Sequence, residues 1–197
     1  ANNIGGTLAA ARSAAEVGAD NFLLISTDKA VNPTSVMGAT KRVAELVIRE
    51  LNRTSSTRFI AVRFGNVLGS NASVVPIFKR QIERGGPVTV TDPDVERYFM
   101  SGTEAVGLIL QAAAVGKGGE VFILEMGEPV KIVTLAETLI TLSGLTPGED
   151  IEIVYTGLKP GEKMTEVLSF SGEDVTDTGL EKLWVLNDST NESGVIE

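Results

Sequence analysis

Asn21-Phe-Leu-Leu-Ile-Ser-Thr-Asp-Lys29 joins an apolar run to a polar one. The run 21–25 has the length and composition of a buried strand, and the polar residues fall at its carboxyl end, where open α/β sheets place their ligands. A Pro33-Thr34-Ser35 turn follows, and then a helical pattern over residues 36–51 in which Val36, Ala39, Val43, Leu46, Val47 and Ile48 form the expected apolar stripe. Met37 and Lys41, four residues apart, share one face of that helix beside the strand end.

Residues 2–18 have helical spacing and end at a glycine, and residues 58–64 read as a second strand, so the chain opens α-β-α-β. Beyond Gly65 the units shorten: a helix over 74–84, a strand at 88–90 and another near 97–100. Ser101-Gly-Thr-Glu104 has capping-box spacing for a helix running to Val115, followed by a strand at 120–124. Thr134-Leu-Ala-Glu137 is read as a second capping box, heading a helix that ends near Gly144, with a strand at 151–155 after it. Three regions are expected: 1–70 as the second half of a Rossmann-type domain, 71–170 as a smaller mixed lobe plus the sheet strand near 120–124, and 171–197 as an acidic, partly ordered tail. The fold class is α/β, the C-terminal part of a doubly wound parallel sheet with a small α/β substrate lobe.

Composition narrows the chemistry. With 197 residues, 43% of them hydrophobic, the chain can bury a core. A net charge of −9 has the wrong sign for tracking a nucleic-acid backbone, so no nucleic-acid partner is expected. Arg63, Lys79, Arg97 and Lys159 are the local cations available to an anionic small ligand. The chain contains no cysteine and no histidine, which removes thiolate zinc sites, cysteine nucleophiles and histidine triads. No metal is expected, and a reducing, cytoplasmic setting fits.

The run Ser26-Thr-Asp-Lys-Ala-Val-Asn-Pro-Thr-Ser-Val-Met-Gly-Ala-Thr-Lys41, with Val62-Arg-Phe-Gly-Asn-Val-Leu-Gly-Ser70 downstream, resembles the UDP-N-acetylglucosamine 4,6-dehydratases of bacterial polysaccharide biosynthesis. These belong to the extended short-chain dehydrogenase/reductase superfamily. The resemblance extends through Ser73-Val-Val-Pro76, Gly85-Gly-Pro-Val-Thr-Val90, Arg97-Tyr-Phe-Met100, Gly118-Gly-Glu-Val-Phe122, Met126-Gly-Glu-Pro-Val-Lys131 and Lys159-Pro-Gly-Glu-Lys163. Methionine stands at position 37 where the superfamily carries tyrosine, as is usual in the subgroup associated with retained C5 configuration. Ala72, Asp92, Lys159 and the Met164-Thr165 pair also depart from the family pattern, at uridine and sugar contacts more than at the reaction centre.

The resemblance implies NAD as cofactor and a UDP-N-acetylhexosamine as substrate, converted to a 4-keto-6-deoxy sugar. It implies that Asp28 protonates the departing C6 hydroxyl and Lys29 takes the C5 proton. Thr27, Met37 and Lys41 complete the catalytic set, and the C4 hydroxyl proton leaves through Thr27, Asp28 or water. Ser26, Lys41, Arg63 and Phe64 fall at the cofactor; Asn66, Arg97, Lys159 and Glu162 fall at the substrate. For Thr27-Asp28-Lys29 the plain alternative is a loop start with an exposed ion pair, and for Arg97 a surface pair with the acidic run 92–96. Tyr155-Thr-Gly-Leu-Lys159 also spells Tyr-x-x-x-Lys, but Gly157 and Pro160 oppose a helix there.

No G-x-G-x-x-G occurs in these residues, and Gly116-Lys-Gly118 follows a helix where it should follow a strand. The chain is therefore expected to be a C-terminal portion, inactive and without useful NAD affinity alone. It should associate with itself or with an N-terminal half, and reach the cytoplasmic face of a membrane only through an N-terminal region of its parent. The rival readings are a non-catalytic nucleotide-sugar-binding or assembly remnant and a nucleotide-sugar epimerase, against which the Asp28-Lys29 pair argues.

Overall fold

The computed structural model describes residues 2–70, 73–169 and 175–186. Along the chain, a π-helical turn (Asn2–Gly6) leads into α1 (Thr7–Glu16), β1 (Asn21–Ile25), α2 (Val36–Thr54), β2 (Arg58–Arg63) and β3 (Asn66–Val67). Next come α3 (Val74–Glu83), β4 (Val88–Val90), β5 (Glu96–Arg97), β6 (Phe99–Met100) and α4 (Gly102–Val115). The chain continues through β7 (Val121–Leu124), β8 (Val130–Lys131), α5 (Ile132–Leu142), β9 (Ile153–Tyr155), β10 (Val175–Leu180) and β11 (Leu183–Leu186).

Two compact units result, one from residues 1–64, 107–125 and 167–197, the other from 65–106 and 126–166. The first unit is built on a five-stranded sheet of order β1-β2-β7-β11-β10. Strand β2 lies parallel to both β1 and β7, while β11 is antiparallel to β7 and β10. Leu24, Phe59 and Ala61 from the sheet pack with Ala11 of α1 and Ala44 and Ile48 of α2. This is the α/β arrangement expected, with the carboxyl ends of β1 and β2 side by side.

In the second unit, short strand pairs surround a core of Phe78, Ile82, Val88, Val90, Val95, Ile132, Ala136, Ile140 and Ile151. The parallel pairs are β3 with β6 and β4 with β9, and the antiparallel pair is β5 with β8.

Three expectations need correcting. The span 171–197 contains sheet strands as well as residues outside the described set: β10 and β11 form an antiparallel hairpin whose second strand pairs with β7. Leu183 is fully buried, so four apolar residues suffice to dock the hairpin. Helix α5 begins at Ile132, ahead of the Thr134 capping box, because Ile132 is drawn into the core and Lys131 becomes the N-cap. The stripe read on α2 holds only at its C-terminal end: Ile48 is buried, but Val36 is 82% exposed and Ala39 and Val43 are also exposed, while Gly38, Ala44 and Glu45 are buried instead. No helix among the described residues is long and apolar enough to cross a membrane.

Candidate active site

Strand β1 ends at Ile25, but its pairing continues one step further: Ser26 N–H donates to the Val62 carbonyl at 2.8 Å. The backbone then turns. Thr27 is extended and caps the 3-10 turn Asp28–Ala30, its Oγ1 accepting from Lys29 N–H at 3.3 Å. Asp28 N–H donates to the Phe64 carbonyl at 3.1 Å, which ties the turn to the end of β2.

These backbone constraints press the Asp28 side chain inward until it is fully buried. Its Oδ1 accepts from the Thr27 hydroxyl at 2.7 Å and from the Lys29 ammonium at 2.9 Å. Its Oδ2 is buried with no hydrogen-bond partner among the described residues. The pair is thus no exposed loop contact: Lys29 is 28% exposed and Asp28 not at all. A half-satisfied buried carboxylate is costly to keep, and such groups concentrate where chemistry needs them.

Helix α2 meets the turn with almost no gap. Ser35 caps it through Gly38 N–H, at 3.2 Å from Oγ, and a Cβ placed on Gly38 would overlap the Lys29 carbonyl oxygen. Met37 is partly exposed, and Lys41 Nζ donates to the Ile25 carbonyl at 3.0 Å. An ammonium has three donors, so Lys41 retains donors for a ligand at the carboxyl end of β1. That is a suitable group for the ribose hydroxyls of a dinucleotide. Asn3, which no motif singles out, donates from Nδ2 to Thr40 Oγ1 at 2.9 Å, and Thr40 donates to the Met37 carbonyl.

Of the residues expected at the cofactor, Ser26 and Arg63 have their side chains directed elsewhere. Arg63 is fully buried and grips Glu45 of α2 with two parallel bonds, Nε to Oε1 at 2.9 Å and Nη2 to Oε2 at 2.8 Å. The Ser26 hydroxyl donates to Glu45 Oε1 at 2.5 Å, and Arg42 Nη1 donates to Oε2 at 3.1 Å. Burial alone would push the Glu45 carboxyl up, but Arg63, Ser26 and Arg42 together hold it below the ordinary carboxylate range. Arg63 is therefore no open cation for an anionic ligand, contrary to the composition-based reading. Phe64 is half-buried and contributes its carbonyl to Asp28.

The residues expected at the substrate lie in the second unit. Arg97 and Glu162 are brought together: Arg97 Nη2 donates to Glu162 Oε1 at 3.0 Å, and Nη1 donates to the Glu96 and Met164 carbonyls at 2.6 and 3.0 Å. The acidic partner of Arg97 is thus Glu162, outside the neighbouring acidic run. Glu162 also accepts from Thr91 Oγ1 at 3.1 Å and, on Oε2, from Lys159 N–H at 3.1 Å. The Lys159 residue is exposed, and Asn66 is half-buried with its N–H on the Tyr98 carbonyl at 3.0 Å. Tyr155 closes β9 and residues 156–159 form no helix, so the second Tyr-x-x-x-Lys spelling places nothing on a helical face.

Known proteins are similar to this chain in sequence and fold. Residues 1–188 match a family described as "Polysaccharide biosynthesis protein". Among curated relatives, the "Probable polysaccharide biosynthesis protein EpsC" of Bacillus subtilis (strain 168) is 60% identical over 85% of this chain and 28% of its own length. A "UDP-glucose 4-epimerase" of Rickettsia canadensis is 34% identical over 78% of the chain and 44% of its own length. A "UDP-N-acetylglucosamine 4,6-dehydratase (inverting)" of Campylobacter jejuni is 32% identical over 88% of the chain and 51% of its own length. Among solved structures, that of Pen from Bacillus thuringiensis superposes with a TM-score of 0.86 at 35% identity, covering 96% of this chain and 59% of that one. The chain thus spans between about a quarter and about half the length of these curated relatives.

Proposed function

We propose, since this chain belongs to the polysaccharide biosynthesis protein family, that the full-length protein is a nucleotide-sugar 4,6-dehydratase. Its substrate is a UDP-N-acetylhexosamine and its product the 4-keto-6-deoxy sugar. The observation that carries this reading is the fully buried Asp28, bridged through one oxygen to both Thr27 and Lys29 at the carboxyl end of β1. Lys41 is assigned to the ribose end of NAD. Bound there, NAD would supply the acceptor and later the donor of a hydride.

The chain's own residues account for the protons. Once C4 is a ketone, the C5 proton is acidic, and elimination needs a base at C5 and an acid at the C6 oxygen. Asp28 and Lys29 form an ion pair at 2.9 Å, and transfer of one proton from Nζ to Oδ1 turns it into a carboxylic acid and an amine. Asp28 then gives its proton to the departing C6 hydroxyl, which leaves as water, while Lys29 takes the C5 proton and later returns it to C5. Asp28 ends the cycle one proton short, and the C4 hydroxyl has lost one. Thr27, whose hydroxyl donates to Asp28 Oδ1 at 2.7 Å, is the relay that closes this account. Asn66, Arg97, Lys159 and Glu162 are assigned to the nucleotide sugar.

The test is product identity. Full-length protein with UDP-N-acetylglucosamine and NAD should yield a 4-keto-6-deoxy product by NMR. Asp28→Asn and Lys29→Ala should each lower turnover by about 10²–10⁴ while substrate binding persists. Near-normal product formation by both variants would sink the assignment. An epimerised sugar with its C6 hydroxyl intact would instead favour the activity named for the Rickettsia relative.

A further inference from the structure

Glu45 has no part in the chemistry above, yet Ser26, Arg42 and Arg63 all direct donors at its carboxylate. It is 2% exposed, in the middle of α2. Packing alone does not require it, since a buried ion pair is often no more stabilising than apolar side chains of similar volume. What a carboxylate gripped from several directions does provide is fixed geometry among the elements that grip it.

We propose that Glu45 is a positioning residue for the Asp28 turn, acting through Ser26 and Arg63. The juxtapositions are specific. Ser26 immediately precedes Thr27, whose hydroxyl binds Asp28 Oδ1. Arg63 immediately precedes Phe64, whose carbonyl takes the Asp28 N–H. On its own helix, Glu45 lies one turn beyond Lys41, whose ammonium binds the carbonyl of Ile25, the residue before Ser26. One carboxylate therefore clamps the last step of β1, the last step of β2 and the middle of α2. Each clamped point is one residue, or one helical turn, from a group that holds Asp28 or is assigned to the cofactor.

The turnover part of the test rests on the dehydratase reading; a second readout does not. In the full-length protein, the double variant Glu45→Leu with Arg63→Met removes the clamp and both of its fully buried charges, leaving Arg42, whose side chain is 20% exposed, so its melting temperature should stay near that of the parent. Ser26→Ala removes one bond to the carboxylate and leaves the ion pair in place. The expected result is that the Asp28 backbone amide exchanges with deuterium about tenfold faster or more in the double variant, and kcat per folded molecule falls about tenfold or more with KM little changed. Ser26→Ala should shift both measurements in the same direction, by about threefold.

Parent-like Asp28 protection, or parent-like kcat, in the folded double variant overturns the proposal and leaves Glu45 as filler. If the double variant does not fold, unchanged Asp28 protection in Ser26→Ala overturns it. If the parent makes no 4-keto product, the dehydratase reading fails, and amide exchange alone still decides the role of Glu45.

Discussion

Two buried carboxylates in the same unit, Asp28 on the turn after β1 and Glu45 on α2, are treated in opposite ways. Glu45 accepts from two arginines and a serine, and its carboxyl is held below the ordinary range. Asp28 has one oxygen shared by Thr27 and Lys29 and the other without a partner among the described residues. Burial by itself does not separate structure from chemistry, because both residues are buried. The degree of satisfaction does: Glu45 is saturated, which suits the positioning role proposed for it, and Asp28 keeps one oxygen without a partner among the described residues, which suits the proposed acid.

The contrast can be broken most directly at Asp28. Asp28→Asn should remove about 10²–10⁴ of turnover, while the melting temperature stays level or rises, as is common where activity depends on an unsatisfied group. A large stability loss with activity retained would reverse the assignment.

Glu45→Gln differs in that stability itself should fall, by about 3–5 kcal/mol, because Arg63 is left buried opposite a neutral amide. Denaturant titration measures this. Because the folded carboxyl sits below 4.5, the ordinary glutamate value, its contribution is complete above that pH and disappears as pH falls below it. Unfolding followed from about pH 6 to about pH 3 should therefore lose stability more steeply for the parent than for Glu45→Gln.

Gly38→Ala comes next. The added methyl meets the Lys29 carbonyl oxygen, so about 1–3 kcal/mol of stability should be lost along with turnover, the turn being displaced. A stable, fully active alanine variant would mean that the helix can move away from the turn freely. The smallest effect is expected in the second unit, where Glu162→Gln weakens contacts to Arg97 and Thr91 that are partly open to solvent. About 1 kcal/mol is expected, with KM rising more than kcat falls.

Sequence made the frame of the first unit legible because its signals are strong. Phe59-Ile-Ala-Val62 reads as a strand in any context, and Ser101 does cap α4, accepting from Glu104 N–H at 3.1 Å. The β10–β11 hairpin was hidden because Val175-Thr-Asp-Thr-Gly-Leu180 is mostly polar. Its turn also depends on positive φ at Gly179 and Lys182 and on a register shift after Asp177.

At the site, the Asp28–Lys29 contact follows from adjacency, whereas helical spacing puts Lys41 only on the face beside the strand end and its role comes from the family resemblance. Glu45 was missed because a glutamate in an amphipathic helix is ordinarily assigned to solvent. The available signal was Arg63 itself: an arginine ending the buried run of β2 requires a counter-charge, and Glu45 lies between Ala44 and Ile48 on the inward face of α2.

The pairing of Ala61 with Val121 has a consequence for a chain made from its N-terminus. Strand β2 can join β1 as soon as it emerges, but its other edge must wait while residues 62–120 are synthesised, roughly 3–12 s at ribosomal speed. During that interval Phe59, Ile60, Ala61 and Val62 present an unpaired apolar edge, the kind of surface that chaperones and neighbouring nascent chains recognise.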